Sequence, residues 1–113
     1  MCTQNTLKLV LDKVCDQAKS VFGDSLVAVK LYGSYARGDY DDESDIDIMV
    51  IVNKDRAELS QFERGFSDFT FDLALEYSTL PSVFLQDNMT YERYKGFYPF
   101  FKNVEREGVD LVA

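Results

Sequence analysis

Two apolar runs, SLVAVKLY (residues 25–32) and IDIMVIV (residues 46–52), are separated only by GSYARGDYDDESD (residues 33–45). Runs this rich in β-branched and aliphatic residues read as buried strands. A link this short returns the chain to the same end of a sheet, so the two strands are expected to pair antiparallel. The link carries an unusual load. Six of the nine residues from Asp39 to Asp47 are acidic. Like charges repel, so such crowding calls for a positive species to offset it.

The flanking sequence supplies elements to cover the sheet. Leu7, Val10, Leu11, Val14, Ala18, Val21 and Phe22 recur at spacings of three and four, which predicts an amphipathic helix over residues 4–22, stopped by Gly23. DRAELSQFERGF (55–66) reads as a second helix, with Ala57, Leu59, Phe62 and Phe66 as core candidates. FTFDLALEY (69–77) alternates strictly, with Phe69, Phe71, Leu73, Leu75 and Tyr77 on one face, and predicts a third strand. Pro81 opens a predicted short helix over 81–87. MTYERYKGFYPFFKNVERE reads as helical in parts, broken around Gly96 and Pro99. GVDLVA predicts a last strand, interrupted by Asp110. The expected architecture is one α/β (α+β) domain over residues 1–113: a small mixed sheet with helices packed on it.

Asp45 and Asp47 sit two apart at a strand start, so their side chains share a face at about 6.5–7 Å along the strand. Ile46, Ile48 and Val50 then point into the core. Two aligned carboxylates share a proton or hold a cation. With Asp39, Asp41, Asp42 and Glu43 nearby, a hard divalent cation such as Mg²⁺ is the better fit. On the predicted third strand, Asp72 lies on the polar face and would reach the same point if strands two and three pair. Three carboxylates could bridge two metal ions about 3.5–4 Å apart, as in-line phosphoryl or nucleotidyl transfer requires. Across the link, Gly33 allows close backbone approach. Ser34 adds a hydroxyl and an amide at the start of a helical turn, a natural phosphate seat, and Arg37 adds a positive charge. Two Mg²⁺ ions and a nucleoside triphosphate would neutralise the acids.

Plainer readings compete. A Gly-Ser pair after a strand is commonly a turn, and D-x-D at a strand start is commonly a solvated edge. Glu76 shares a face with Asp72 and reads as solvated. DYDDESDID is not a calcium-binding EF-hand loop, because Ser44 stands at the sixth position and Val50 at the twelfth. RGD at residues 37–39 reads as chance.

Composition bounds the rest. A net charge of −8 argues against binding a long polyanion. No run of 18 apolar residues exists, so no membrane span is expected. MCTQNTLKLVLDK lacks the features of a signal peptide. Cys2 and Cys15 make no disulfide framework, which suits a reduced, cytoplasmic chain. The absence of His removes histidine-based nucleophile activation and zinc ligation.

Taken together, GSYARGDYDDESDID resembles the signature of the DNA-polymerase-β-like nucleotidyltransferases, and most closely their minimal nucleotidyltransferase (MNT) group. Gly33, Ser34, Ala36, Arg37, Gly38, Ser44, Asp45, Ile46 and Asp47 match the pattern with its spacing intact. The resemblance extends over residues 4–77, and NVEREGVDLVA is similar to the group's ending. It implies a polymerase-β-like core. Asp45, Asp47 and Asp72 would be metal-binding catalytic carboxylates; Gly33, Ser34, Arg37 and Ser44 would contact nucleotide. The implied activity is Mg²⁺-dependent transfer of AMP from ATP to an acceptor. MNT proteins commonly act as antitoxins that adenylylate a HEPN-domain partner, so such a partner is implied here. Two other readings remain open: a non-catalytic antitoxin that masks its partner, and transfer to a small molecule. The aromatic segment Tyr91, Tyr94, Phe97, Tyr98, Phe100, Phe101 could be core or could supply part of a partner surface.

Overall fold

The structure, a computed structural model, describes residues 3–112. Cys2 lies outside them, while Cys15 is buried with a free thiol that burial makes harder to ionise.

The chain opens with α1 (Gln4–Phe22), capped by Thr3, whose hydroxyl accepts from the Thr6 amide at 3.1 Å. Gly23, at φ 53°, ends the helix and donates its amide to the Lys19 carbonyl. Strand β1 (Leu26–Tyr32), a single helical turn α2 (Ser34–Arg37) and strand β2 (Ile46–Val52) follow. Next come α3 (Arg56–Ser60), α4 (Glu63–Tyr77), β3 (Pro81–Asp87), α5 (Asn88–Tyr94), α6 (Pro99–Glu107) and β4 (Val109–Val112). The sheet order is β3-β2-β1-β4. β1 pairs antiparallel with β2 and with β4, and β2 pairs parallel with β3. The sheet is therefore mixed, as expected.

Both faces of the sheet are covered. On one, Val10, Val14, Ala18 and Phe22 of α1 pack with Ile46, Ile48, Val50 and Val52 of β2, together with Phe66 and Leu73 of α4. On the other, Met49, Ile51 and Ala28 meet Tyr91, Phe101 and Val104 from α5 and α6. β2 is thus buried on two sides, and that accounts for its nearly unbroken apolar sequence. Each large aliphatic side chain removed from water there contributes about 1.5–3 kcal/mol.

Two expectations are overturned. Residues 69–77 are helix, and 81–87 are strand. The apparent alternation of 69–77 is two helical series laid over each other. Phe69, Leu73 and Tyr77, spaced by four, face the core, with Phe66 one turn earlier. Phe71 and Leu75, also spaced by four, point outward at 63% and 69% exposure. Pro81 begins a strand at the sheet edge, where its missing amide donor is tolerated. The 55–66 helix is broken in two. Asp55 caps α3 by accepting from the Glu58 amide at 2.8 Å, and α4 restarts at Glu63. Of its four core candidates, Leu59 and Phe66 are buried, Phe62 is half-buried and Ala57 is exposed.

The aromatic segment divides evenly. Tyr91 and Phe101 are buried and Phe100 half-buried, whereas Tyr94, Phe97 and Tyr98 are exposed. The last strand does pair, and Asp110 has a partner there: it lies opposite Lys30, whose ammonium reaches it at 2.5 Å. No helix among the described residues is long and apolar enough to cross a membrane.

Candidate active site

The site is built where β1 ends and β2 begins. Tyr32 pairs with Asp47 across the two strands. Gly33 then turns the chain at φ 77°, a conformation that side chains disfavour. A Cβ at this position would run into the Asp47 carboxylate, so glycine is required sterically as well. The Gly33 carbonyl accepts from the amides of Ala36 and Arg37, and Ser34 opens the turn that brings its hydroxyl to the same end of the sheet. Gly38, at φ 88°, closes that turn.

Two acids of the link, Asp39 and Asp41, are already engaged. Asp39 accepts from Arg37 Nε at 3.1 Å. Asp41 accepts from the Glu43 amide at 2.9 Å and from the Ser44 hydroxyl at 3.2 Å. The Ser44 hydroxyl itself accepts from the Asp41 amide at 2.9 Å. Ser44, expected to touch nucleotide, therefore spends its hydroxyl closing the loop that presents Asp45. Arg37 is also committed, to Asp39 and, at 3.4 Å, to Glu107 at the end of α6. Those two acceptors hold its guanidinium protonated, the Asp39 bond first.

Asp45 and Asp47 are brought together as expected. Asp45 is exposed and Asp47 half-buried. Partial burial, and then the Asp45 charge, push the Asp47 carboxyl above its usual range, against a smaller opposing pull from Arg37. Beside it, burial and then the Asp47 charge push the Tyr32 hydroxyl up to about 12, so it stays a neutral donor. Asp45 also lines a hollow of about 320 Å³, with Tyr35 and Ser44 on one side and Ala74, Ser78 and Leu80 on the other.

Asp72 is not part of this arrangement. It lies on α4 and lines a different hollow with Lys13, Asp16 and Glu76. The reason is the change of element: a helix turns Asp72 away from the position that strand alternation would give it. Of two acids not assigned from sequence, one is tied to the site and the other only shares its sheet face. Glu107 reaches the site through Arg37. Asp110 shares the sheet face of Asp47, because it pairs with Lys30, which shares that face with Tyr32. The signal for Asp110 was its interruption of an apolar strand.

The donor chemistry suits a hard cation, since carboxylate oxygens are what Mg²⁺ takes. Among the described residues, however, no cluster of three or more His, Cys, Asp or Glu forms a cage. Two carboxylates with open space beside them fit an ion that arrives with phosphate oxygens completing its shell.

Comparison with known proteins agrees with this geometry. The profile of the nucleotidyltransferase domain matches residues 7–106. Three relatives from Methanocaldococcus jannaschii each carry the name "putative protein adenylyltransferase". One is 31% identical over 80% of this chain and 82% of its own length. Another is 51% identical over 31% of this chain, and in that protein the match spans about a third of the length (35%). Among solved structures, a "putative nucleotidyltransferase" from Sulfolobus solfataricus superposes with TM-score 0.56 at 24% identity, covering 94% of this chain and 78% of that one. A structure of the toxin–antitoxin pair MntA–HpeT gives 0.54 at 19% identity, covering 91% and 73%. At these identities the structures speak for the fold.

Proposed function

The chain belongs to the nucleotidyltransferase-domain family, and on that premise we propose that it transfers AMP from ATP to a hydroxyl of a partner protein, in the manner of the minimal nucleotidyltransferases. The observation that carries this reading is the placement of Asp47 against the Gly33 turn, with Asp45 close enough that burial first and then the Asp45 charge raise the Asp47 carboxyl. Such a pair is costly in the apo protein and becomes useful when a cation and a polyphosphate enter together.

Asp45 and Asp47 would hold Mg²⁺, which when bound would neutralise phosphate charge and polarise the phosphorus under attack. Ser34, with the turn it opens, would seat phosphate oxygens. Arg37 would serve the phosphates by exchanging Asp39 or Glu107 for them. Tyr32 would remain a neutral hydrogen-bond donor beside Asp47. In the transfer, the acceptor oxygen bonds to the α-phosphorus and the bond from that phosphorus to the bridging oxygen breaks. Pyrophosphate leaves, and the hydroxyl proton passes to water in the open hollow. The in-line geometry would come from positioning more than from covalent chemistry.

The relatives named as protein adenylyltransferases support a protein acceptor. The fold likeness to MntA–HpeT supports a toxin partner and an antitoxin role, and we take a HEPN-domain protein as the partner class. The exposed rings of Tyr94, Phe97 and Tyr98 favour a second reading, in which the chain neutralises its partner by masking it. The test is incubation with labelled ATP, Mg²⁺ and the purified product of the neighbouring gene. Label on a folded partner, lost with Asp45→Asn/Asp47→Asn, is the expected result. A double variant that binds and silences the partner as fully as wild type would favour masking.

A further inference from the structure

α4 is apolar on the wrong side. A surface helix normally keeps one apolar stripe for the core and a polar face for water. Here the core stripe is complete in Phe66, Phe69, Leu73 and Tyr77, yet Phe71 and Leu75 stand on the opposite face, 63% and 69% exposed. Ala74 and Ser78, three residues after Phe71 and Leu75 respectively, lie on that same face by helical spacing, and both line the hollow of Asp45. Leu80, 56% exposed, lines it too. An exposed apolar strip thus runs along α4 and ends at the hollow that Asp45 lines.

The strip is bordered by acids. Asp68, Asp72 and Glu76, spaced by four, form one edge of α4. Asp42 and Glu43, across the hollow, form the other. Among the described residues none of these five forms an ion pair. A second copy of this chain, at net charge −8, would set acid against acid. A segment with large apolar residues flanked by Lys or Arg would satisfy both features.

We propose that the outer face of α4 is the docking strip for the acceptor protein, and that it selects a basic, apolar segment whose hydroxyl is thereby led to Asp45 and Asp47. This deepens the transfer reading and rests on it, but docking itself needs neither ATP nor the carboxylate pair. The arrangement gives α4 two jobs, closing the core and delivering the acceptor.

The test is binding of the fluorescently labelled full chain to immobilised hydroxyl-containing peptides whose apolar and charged residues vary independently. Wild type is expected to prefer peptides carrying both large apolar side chains and Lys or Arg, and to weaken as salt rises. Phe71→Ser/Leu75→Ser is expected to bind those peptides about tenfold or more weakly, with an unchanged circular dichroism spectrum. Asp72→Lys/Glu76→Lys should keep the apolar preference and lose the basic one. Equal binding by wild type and the serine variant overturns the proposal. So does a preference for acidic or uncharged peptides, or no binding to any peptide. A wild-type dimer in sedimentation that the serine variant abolishes assigns the strip to self-association and overturns it as well. Wild type that binds as expected but never labels a bound peptide counts against the transfer reading alone.

Discussion

The two faces of β2 share a backbone and divide the protein's work. Ile46, Ile48, Val50 and Val52 face α1 and α4 and are fully buried. Asp47, Met49 and Ile51 face the other way, and along that face burial falls from Ile51 to the half-buried Asp47 at the strand's start. Alternate residues therefore pass from core to chemistry within one step of 3.3–3.4 Å, about the rise of a strand. A site seated on a strand locked from behind inherits its rigidity. The carboxylates need not contribute to folding, because the residues between them do.

Substitutions can break that division. Ile48→Ala removes fully buried side-chain volume and should cost about 2–5 kcal/mol of unfolding free energy. Asp47→Asn should abolish nucleotidyl transfer while leaving the denaturant midpoint unchanged or slightly raised. Chemical denaturation beside a transfer assay separates the two, and a large loss of apo stability in Asp47→Asn would return Asp47 to a structural role. Ser34→Ala sharpens the functional side. Loss of one charge-assisted hydrogen bond is worth about 1.5–3 kcal/mol, or one to two decades in kcat/KM, carried mainly by the requirement for nucleotide. An inert Ser34→Ala would leave the turn a purely conformational device.

Gly33→Ala tests the seam between the two faces. A methyl group there meets the Asp47 carboxylate at a backbone angle that alanine resists, for a cost of about 1–3 kcal/mol in stability. The smallest effect is the pH dependence of Asp47. Its carboxyl is raised in the folded chain above the ordinary value of 3.8. The folded state therefore holds that proton more tightly than the unfolded state, and its contribution is most favourable in acid. That contribution is lost as pH rises through the folded value. Wild type should accordingly lose stability relative to Asp47→Asn between about pH 3.8 and neutrality, by less than about 1 kcal/mol given solvent screening. A stability difference that is flat with pH would mean that neither burial nor the Asp45 charge raises the Asp47 carboxyl in the folded chain. Mg²⁺ and ATP together should then raise the melting temperature by more than the sum of each alone.

The sheet's centre and the loop at its end were legible in sequence because their signals are local. β2 was read at its observed bounds, since a continuous apolar run of that length has few other uses. The spacing of Gly33, Ser34, Asp45 and Asp47 survives into the structure, because a short link between paired strands leaves the chain little freedom. The stretch 69–77 was not legible. Five apolar residues at alternate positions satisfy a strand as well as they satisfy a helix with one apolar face in the core and another in solvent. Periodicity cannot separate those cases, because it records which residues avoid water and not what covers them.

Local sequence thus determined the antiparallel pair, the acid-bearing link and the class of chemistry they suit. Tertiary structure decided which acids remain at the site. Asp72 left when its segment wound into α4, and Asp41 and Ser44 were taken up by their own loop. Glu107 came in from residues 70 positions away through Arg37. Pairing of β4 with β1 placed Asp110 on the Asp47 face and gave it Lys30 as a partner. Apart from the Asp41–Ser44 bonds, which are local, each outcome depends on contacts between segments distant in the chain, and their energies come from packing and charge that no single segment contains.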